Sequence, residues 1–409
     1  MSRKNTLLLI YNSFNDPLFQ NLILEYIKTL SQNTKDGMYH LVTFEQSEFK
    51  VAASDIPSIK KELVQYRIDW HPLQFHSGRF LLLKKAWDFI NAFFLVLLLR
   101  VRYKLNILFC FANVSAAMGV VLAKVLRMKM IVYSYEPHSE FQVELGLWKK
   151  NGLKYKVMSR LEQLAGLHAD YILTGTRHMV ERLQVLGSKA KIFRAPTAVD
   201  ENQFQFNVSK RLEIRRELKL EKRKVFIYPG KFEGLYYSPE VFVTLCNQIK
   251  SLFEDAFFLV ATNFDLEILE EEFQAQGLSK DSFLLRPFVP MNEMPSYLAA
   301  SDMGIVAIPP TPAQKFRSPT KVAEFLLCGL PYIVSRGISE DDEVARTEGV
   351  GVEVEGFDIR FSKEVIEKLN NLFSTSPDKL REKCRIVGLE YRSKERIDKL
   401  LLEIYQNEG

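Results

Sequence analysis

The run from Ser318 to Pro331 carries residue types suited to chemistry on a phosphate ester. Pro319 favours the start of a helix, where its missing N–H has no partner to lose, and Gly329 favours the helix end. A helix N-terminus presents unpaired N–H groups and partial positive charge, to which Lys321 adds a full charge. Glu324, one turn further on, can accept hydrogen bonds from ribose or sugar hydroxyls. Together with Ser318 and Thr320, these residues predict a site for a sugar nucleotide.

Other polar residues follow predicted strands of parallel sheets, at the edge where such sheets bind ligands. Gly230 and Lys231 come after one apolar run, Glu136 and His138 after another, and Arg177 with His178 after a third. His138 is also explained by a loop histidine that only caps the backbone. Arg177 and His178 are also explained as the first turn of a helix capped by Thr176.

Apolar strand-like runs alternate with helical patterns along the whole chain, which predicts parallel α/β sheets. The predicted strands are Thr6–Tyr11, Tyr39–Phe44, Ile107–Phe111, Met130–Tyr133, Tyr171–Thr174 and Lys191–Arg194, then Val225–Tyr228, Phe257–Ala261, Phe283–Arg286, Met303–Ala307 and Tyr332–Val334. Two Rossmann-like domains facing each other across a cleft are expected, at 1–205 and 206–380. Residues 381–409 are expected to form a C-terminal helix that packs back across the domains.

Length and charge agree with two domains of different surface character. The chain has 409 residues and a net charge of +5. Residues 1–205 hold 27 Lys and Arg against 17 Asp and Glu, and the remainder hold 28 against 33. A basic first half suits anionic lipid headgroups or phosphorylated acceptors. Nucleic acid is not expected, because no nucleic-acid-binding motif accompanies the charge.

The cysteines and the amino terminus favour a cytoplasmic protein. The four cysteines are far apart in apolar segments, so buried, reduced thiols are expected and no metal site is predicted from them. Met1-Ser2-Arg3-Lys4 leads into a short run of strand type, unlike a signal peptide. The apolar stretch from Trp87 to Val101 is too short to span a bilayer. It is either a helix buried in the first domain or an interfacial helix that rests on the inner face of a membrane.

These motifs resemble the GT-B glycosyltransferases, most closely glycosyltransferase family 4 in its Ser-Pro-x-Lys branch. The resemblance rests on Ser318-Pro319-Thr320-Lys321-x-x-Glu324 with Gly329-x-Pro331, on Gly230-Lys231, and on the segments 169–174 and 196–204. It covers roughly residues 105–360.

The resemblance implies transfer of a sugar from a nucleotide-diphosphate donor, often with retention and without a metal or other cofactor. Ser318, Thr320 and Lys321 would hold the diphosphate, Glu324 the ribose, and Lys231 the leaving phosphate. His138 or Glu136 would lie near the donor sugar. The first domain would bind a glycan or lipid-linked acceptor, as in synthesis of bacterial-type surface polysaccharides.

Two departures from the family pattern leave alternatives open. Phe316 stands where the family has the earlier of two glutamates, and the usual second basic residue after Lys231 falls among Leu235, Tyr236 and Tyr237. Lys321 can replace that lost charge, and backbone groups of residues 315–317 can replace the glutamate. A nucleotide-sugar 2-epimerase-like enzyme and a non-catalytic GT-B scaffold protein remain as alternatives.

Overall fold

The computed structural model describes residues 5–34, 37–134 and 136–407, so that Met1–Lys4 lie outside the described part. The chain divides into two compact units, one formed by residues 1–195 with 397–409 and the other by residues 196–396. The first boundary lies ten residues before the expected one. Residues after 195 belong to the second unit because Val199 forms a parallel bridge with Ser393, and Thr197 bonds to Ser318.

The first unit contains a seven-stranded parallel sheet in the order β3-β2-β1-β4-β5-β6-β7. Its elements are β1 (Thr6–Ile10), α1 (Leu24–Asn33), β2 (Tyr39–Glu45), α2 (Ile56–Val64), β3 (Ile68–Gln74), α3 (Leu81–Tyr103), β4 (Ile107–Phe111), α4 (Asn113–Leu126), β5 (Lys129–Ser134), α5 (His138–Glu144), α6 (Leu153–His168), β6 (Tyr171–Thr174), α7 (Arg177–Leu186) and β7 (Lys191–Arg194).

The second unit contains a six-stranded parallel sheet in the order β10-β9-β8-β11-β12-β13. Its elements are α8 (Val208–Glu217), β8 (Lys224–Pro229), α9 (Pro239–Leu252), β9 (Ala256–Thr262), α10 (Leu266–Ala275), β10 (Phe283–Pro287), α11 (Met294–Ala300), β11 (Met303–Val306), α12 (Thr320–Leu327), β12 (Tyr332–Ser335), α13 (Asp341–Thr347), β13 (Gly351–Val354), α14 (Lys363–Ser374) and α15 (Pro377–Arg392). The last helix, α16 (Lys394–Asn407), lies mostly in the first unit, where Tyr405 packs near Tyr39 and Phe109.

Continuous burial explains why the central strands were visible in the sequence. Every residue of β1, β4, β9 and β12 is buried, as expected for parallel strands covered by helices on both faces. All eleven predicted strands are present, and every predicted end lies within one residue of the observed one. The prediction of two Rossmann-like α/β domains is confirmed in each unit's own sheet.

Two strands were missed, and both lie at an edge of a sheet. β3 reads Ile-Asp-Trp-His-Pro-Leu-Gln and β13 reads Gly-Val-Glu-Val, so neither has the continuous apolar run of a central strand. An edge strand tolerates polar side chains and proline, because it pairs on one side only.

The apolar stretch from Trp87 to Val101 lies inside α3. Ala92, Val96 and Leu99 are buried, which agrees with packing of one helix face against the unit. In the described part of the chain, no helix combines the length and apolar character needed to cross a membrane. The four cysteines are buried and unpaired within the described residues, as expected.

Candidate functional site

The second sheet has its topological switch point between β8 and β11. From β8 the chain adds β9 and β10 on one side, and β11, β12 and β13 extend on the other. In open parallel sheets, ligands bind outside the carboxyl ends of the strands at such a point. The loops that follow β8 and β11 therefore flank the expected binding crevice of this unit.

Gly230 and Lys231 form the start of the β8 loop. A Cβ at Gly230 would lie 2.3 Å from the ring of Tyr228, so only glycine fits without moving that ring. The Tyr228 hydroxyl donates to the carbonyl of Lys231, while the Lys231 side chain is exposed. Glu233 and Gly234 then adopt positive φ angles of 65° and 62°, which turn the chain sharply. This geometry fixes the backbone and leaves the lysine ammonium group accessible.

The loops after β8 and β11 are joined by Gln314, a residue that the sequence analysis did not identify. Gln314 is buried, and its Nε2 donates to the carbonyl of Leu235 at 3.1 Å. Tyr237 N donates to the carbonyl of Ala307 at 3.3 Å, which ties the end of the first loop to the start of the second. A glutamine in a polar loop gives no sequence signal for this contact.

The helix α12 begins and ends as the sequence predicts, except that Pro319 precedes the first helical residue and occupies the N-cap position. Gly329 has a φ of 71°, in the left-handed region that terminates helices. Its N–H and that of Leu330 bond to the carbonyls of Leu326 and Phe325, which closes the helix end.

Ser318 is held by side chains distant in sequence. Its Oγ accepts hydrogen bonds from Thr197 N at 2.9 Å and from Nη1 of Arg392, and its carbonyl accepts one from Thr197 Oγ1. Arg392 also donates to Asp341, and the side chains of both are fully buried. The hydroxyl thus anchors the loop, and its own proton is left to donate. Neither Thr197 nor Arg392 was expected at the site.

Lys321 and Glu324, which lie one turn apart near the start of α12, form an ion pair. Lys321 Nζ lies 3.2 and 3.0 Å from the two carboxylate oxygens. The Glu324 side chain is 2% exposed and that of Lys321 is 36% exposed. The Glu324 carboxylate therefore faces its own lysine and not open solvent. An ammonium group has three protons, so Lys321 can still donate one to an anion.

Phe316 is buried in a short 3₁₀ turn formed by Gln314–Phe316, with Nζ of Lys315 lying 5.0 Å from the centre of its ring. The side chain at this position therefore packs inward, while Lys315 is exposed. No carboxylate takes the place of the family's earlier glutamate at this position.

In the first unit, Glu136 and His138 follow β5, one strand away from the switch point between β1 and β4. Asn113, the first residue of α4, donates to the carbonyl of Glu136 and accepts from Ser134 Oγ at 2.7 Å. His138 begins α5, with its ring 5.7 Å from that of Trp148. Burial lowers the pKa of His138, so its imidazole is neutral near pH 7.

Arg177 and His178 open α7, and the predicted N-cap is confirmed: Thr176 Oγ1 accepts from Met179 N at 3.2 Å. Both side chains lie near the same carboxylate, with Glu181 3.5 Å from Arg177 Nε and 3.9 Å from His178 Nδ1. The helix cap and the contacts with Glu181 therefore account for this segment without a ligand.

A carboxyl group that sequence reasoning missed lies next to His138. Glu162, on α6, accepts hydrogen bonds from the N–H and hydroxyl of Ser139, and burial raises its pKa to about 7. It lines a cavity of about 260 Å³ together with Asn113, Ser134 and Arg182. In the sequence, Glu162 looks like any polar residue of an amphipathic helix.

Comparison with known proteins finds similar structures but no similar sequences. No family model matches the chain, and no curated protein matches it. The structure of HepE from Anabaena in complex with UDP has a TM-score of 0.69 and 11% identity, covering 98% of this chain and 100% of that one. Sucrose-phosphate synthase from Thermosynechococcus elongatus has a TM-score of 0.70 and 14% identity, covering 99% of each chain.

A putative UDP-N-acetylglucosamine 2-epimerase from Listeria monocytogenes is also similar, with a TM-score of 0.55 and 13% identity over 94% of this chain and 91% of that one. Such low identities establish the fold alone. The chain has the GT-B fold, with two parallel-sheet α/β units, and is similar in fold to a glycosyltransferase from Rickettsia africae as well as to the putative Listeria epimerase.

Proposed function

We propose that this chain is a glycosyltransferase that transfers a sugar from a nucleotide-diphosphate donor to a glycan or lipid-linked acceptor. One observation carries the proposal. The helix start at Thr320, with Lys321 and the buried Glu324, lies on a loop that Gln314 joins to the loop of Lys231, at the switch point of one sheet. That arrangement supports a donor site there, because helix N-termini and lysines attract anions and open parallel sheets bind ligands at the switch point.

Each residue has a role in leaving-group departure. The N–H groups at the start of α12 and the hydroxyls of Ser318 and Thr320 bind the diphosphate oxygens. Lys321 and Lys231 neutralise the charge that develops on the leaving phosphate. Pro319 and Gly230 shape the two loops around it. We propose that these fixed cations suffice without a metal ion, so transfer should proceed at an unchanged rate in EDTA.

Glu324 is proposed to contact the donor ribose from the second turn of the same helix. Among the described contacts, the Glu324 carboxylate accepts hydrogen bonds only from Lys321. When the donor binds, Lys321 would donate to both this carboxylate and the diphosphate. A ribose hydroxyl can donate to the carboxylate oxygen that Lys321 releases.

The first unit is proposed to supply sugar and acceptor contacts. Neutral His138 and the carboxylate of Glu136 would meet the donor sugar, with Arg177 and His178 near the acceptor. If configuration is retained, the leaving phosphate oxygen takes the acceptor's hydroxyl proton as the new glycosidic bond forms and the bond to phosphate breaks.

Donor binding is the first test. We expect UDP, GDP or ADP sugars to raise the melting temperature, and one of them to bind in calorimetry. Lys231→Ala should weaken that binding at least tenfold. Lys222→Ala is the matched control, because Lys222 is exposed just before the amino end of the same strand, β8. Equal loss in both variants, or in neither, contradicts the assignment of Lys231.

The epimerase alternative is supported by the Listeria protein's fold and differs in what it consumes. An epimerase converts the donor without an acceptor, whereas a transferase releases free nucleotide diphosphate only when an acceptor is present. Nuclear magnetic resonance of the bound donor, followed with and without glycan or polyprenyl-phosphate acceptors, separates these outcomes. Donor binding with neither product would indicate the scaffold alternative.

The exposed face of α3 supports contact with an anionic membrane. Large apolar side chains recur every three or four residues, starting just before the helix, and are exposed: Phe80, Leu83, Trp87, Ile90, Phe94, Leu98 and Val101. Basic residues flank this stripe at Arg79, Lys84, Arg100, Arg102 and Lys104. An apolar stripe bordered by cations fits a helix that lies in the headgroup region. A lipid-linked acceptor would be reached from there.

Sedimentation with vesicles tests this contact. We expect binding to vesicles that contain phosphatidylglycerol, weaker binding to phosphatidylcholine alone, and loss of binding at high salt. Phe94→Gln should reduce binding, whereas Val185→Gln, at an exposed valine on α7, should not. Unchanged vesicle binding in Phe94→Gln, or a concentration-dependent dimer that this variant abolishes, would contradict the membrane assignment.

A further inference from the structure

Three side chains of metal-ligating type converge on one face of the first sheet, where the edge strand β3 pairs with β2. His40 lies opposite Asp69 in the parallel register, and His71 follows Asp69 by two residues. Because successive residues of a strand alternate between faces, these three side chains share a face.

Their polar atoms form a nearly equilateral triangle. Nδ1 of His40 lies 3.2 Å from Nε2 of His71 and 3.4 Å from Oδ2 of Asp69, and the edge from His71 to Asp69 is 3.2 Å. Ligand atoms about 2.0–2.1 Å from a tetrahedral zinc ion lie roughly 3.3–3.4 Å from one another. The triangle therefore has the size of one face of a zinc coordination tetrahedron.

Hydrogen bonding alone does not satisfy all three contacts. A neutral imidazole has a single N–H proton. If both rings donate to Asp69, no proton lies between the two nitrogens. If His71 donates to His40 instead, the lone pair of His40 Nδ1 is engaged and cannot also face the Asp69 oxygen favourably. A cation at the centre accepts a lone pair from each of the three atoms at once.

The cluster is open on one side. The side chain of His40 is fully buried, whereas those of His71 and Asp69 are 19% and 35% exposed. An ion can enter from the exposed side, and a water molecule can complete the coordination there. The ring of Tyr103, the last residue of α3, lies 4.3 Å from the ring of His40, so the cluster also contacts the end of that helix.

We propose that His40, Asp69 and His71 form a binding site for a zinc ion or a similar borderline divalent cation. Two imidazole nitrogens and one carboxylate oxygen are the ligand set that such ions favour. Bound there, the ion fastens the edge strand β3 to β2, next to the end of α3. Its role is structural, in the first unit, and it does not depend on the proposed transfer reaction.

The test uses the full-length protein, freed of any affinity tag and stripped with EDTA. We expect one Zn²⁺ per chain in calorimetry and a higher melting temperature with the ion bound. Co²⁺ serves as a spectroscopic probe, and we expect the intense visible ligand-field bands of tetrahedral coordination. Absence of stoichiometric binding, or Co²⁺ bands of a purely octahedral aqua type, would overturn the proposal.

Variants assign the ligands. His71→Gln and Asp69→Asn, at the partly exposed positions, should fold and bind Zn²⁺ at least tenfold more weakly. His168→Gln is the control, because His168 is exposed at the end of α6, away from the cluster. Zn²⁺ affinity that is equal in wild type and His71→Gln, or that falls only in His168→Gln, would place the ion elsewhere and refute the site.

Discussion

Replacement of Lys321 by alanine removes both the cation that pairs with Glu324 and the cation proposed to bind the diphosphate. Glu324, whose side chain is 2% exposed, has Lys321 Nζ within 3.2 Å of both carboxylate oxygens. Removing the lysine leaves a buried carboxylate without its cation. The substitution should therefore lower the stability of the fold as well as the affinity for a diphosphate. Loss of activity alone would not assign a catalytic role to Lys321.

The expected cost follows from the burial of the pair. Breaking a buried ion pair by removing one partner costs about 3–5 kcal/mol. The lysine side chain is 36% exposed, so water can enter the space it leaves and screen the carboxylate. We therefore expect Lys321→Ala to lower the free energy of unfolding by about 2–3 kcal/mol.

A second substitution removes the charge that was left behind. In Lys321→Ala with Glu324→Gln, no buried ion remains unpaired, so most of the lost stability should return. Donor affinity should not return with it, because the cation that meets the diphosphate is still absent. The assays are guanidinium unfolding for stability and calorimetry with the best nucleotide for binding.

An exposed pair in the same unit provides the control. Lys368 and Glu364 on α14 have side chains that are 36% and 74% exposed. Lys368 is therefore as exposed as Lys321, whereas its carboxylate partner is exposed and Glu324 is buried. Lys368→Ala should change the free energy of unfolding little, because water screens this exposed pair. If Lys321→Ala is no more destabilising than this control, the buried-pair reasoning is wrong. If the double variant binds nucleotide like the wild type, Lys321 has no role in donor binding.

Three further predictions concern groups that support the proposed site. Asp341→Asn leaves the buried guanidinium of Arg392 without a counter-charge, so we expect a loss of about 3–5 kcal/mol in guanidinium unfolding; a loss under about 1 kcal/mol would contradict the pairing. Glu162 has a pKa raised by burial to about 7, so the wild type should lose about 3 kcal/mol of stability relative to Glu162→Gln as pH rises from about 4.5 through 7; parallel stability profiles of the two proteins between pH 4.5 and 8 would contradict this. In Gly230→Ala, the new Cβ would lie 2.3 Å from the Tyr228 ring and force that ring to move, so nucleotide binding should weaken at least tenfold. Unchanged affinity would show that the loop adapts.

The sequence predicted most of the fold because both sheets are built on continuously apolar strands. It failed at β3 and β13, where only one strand neighbour exists and polar side chains are tolerated. The same failure hid the histidine cluster: His40 and His71 are 31 residues apart, and only the register of β2 with β3 brings them together. Local spacing carries no information about such a pair.

Proximity among the candidate donor-site residues could be predicted where they are local in sequence, and not where they are distant. Lys321 and Glu324 are one helical turn apart, so helix geometry alone brings them together. Ser318 is held by Thr197 and Arg392, which are 121 and 74 residues away in sequence. Such contacts depend on how the whole unit packs. They also show that a serine predicted to bind ligand first serves to anchor its loop.

The position of Phe316 has a consequence for sugar recognition in the proposed reaction. Along the loop, Gln314 and Phe316 are buried, whereas Lys315 between them is exposed and Arg317 is partly exposed. A carboxylate at 316 would therefore point into the unit, so this loop could not present it to a sugar even if the residue were present. The side chains that the loop does present are cations, opposite in charge to the family's glutamate. Any contact that this loop makes to the donor sugar must then come from backbone groups of residues 315–317 or from these cations, and a sugar that bears a carboxylate would meet complementary charge there.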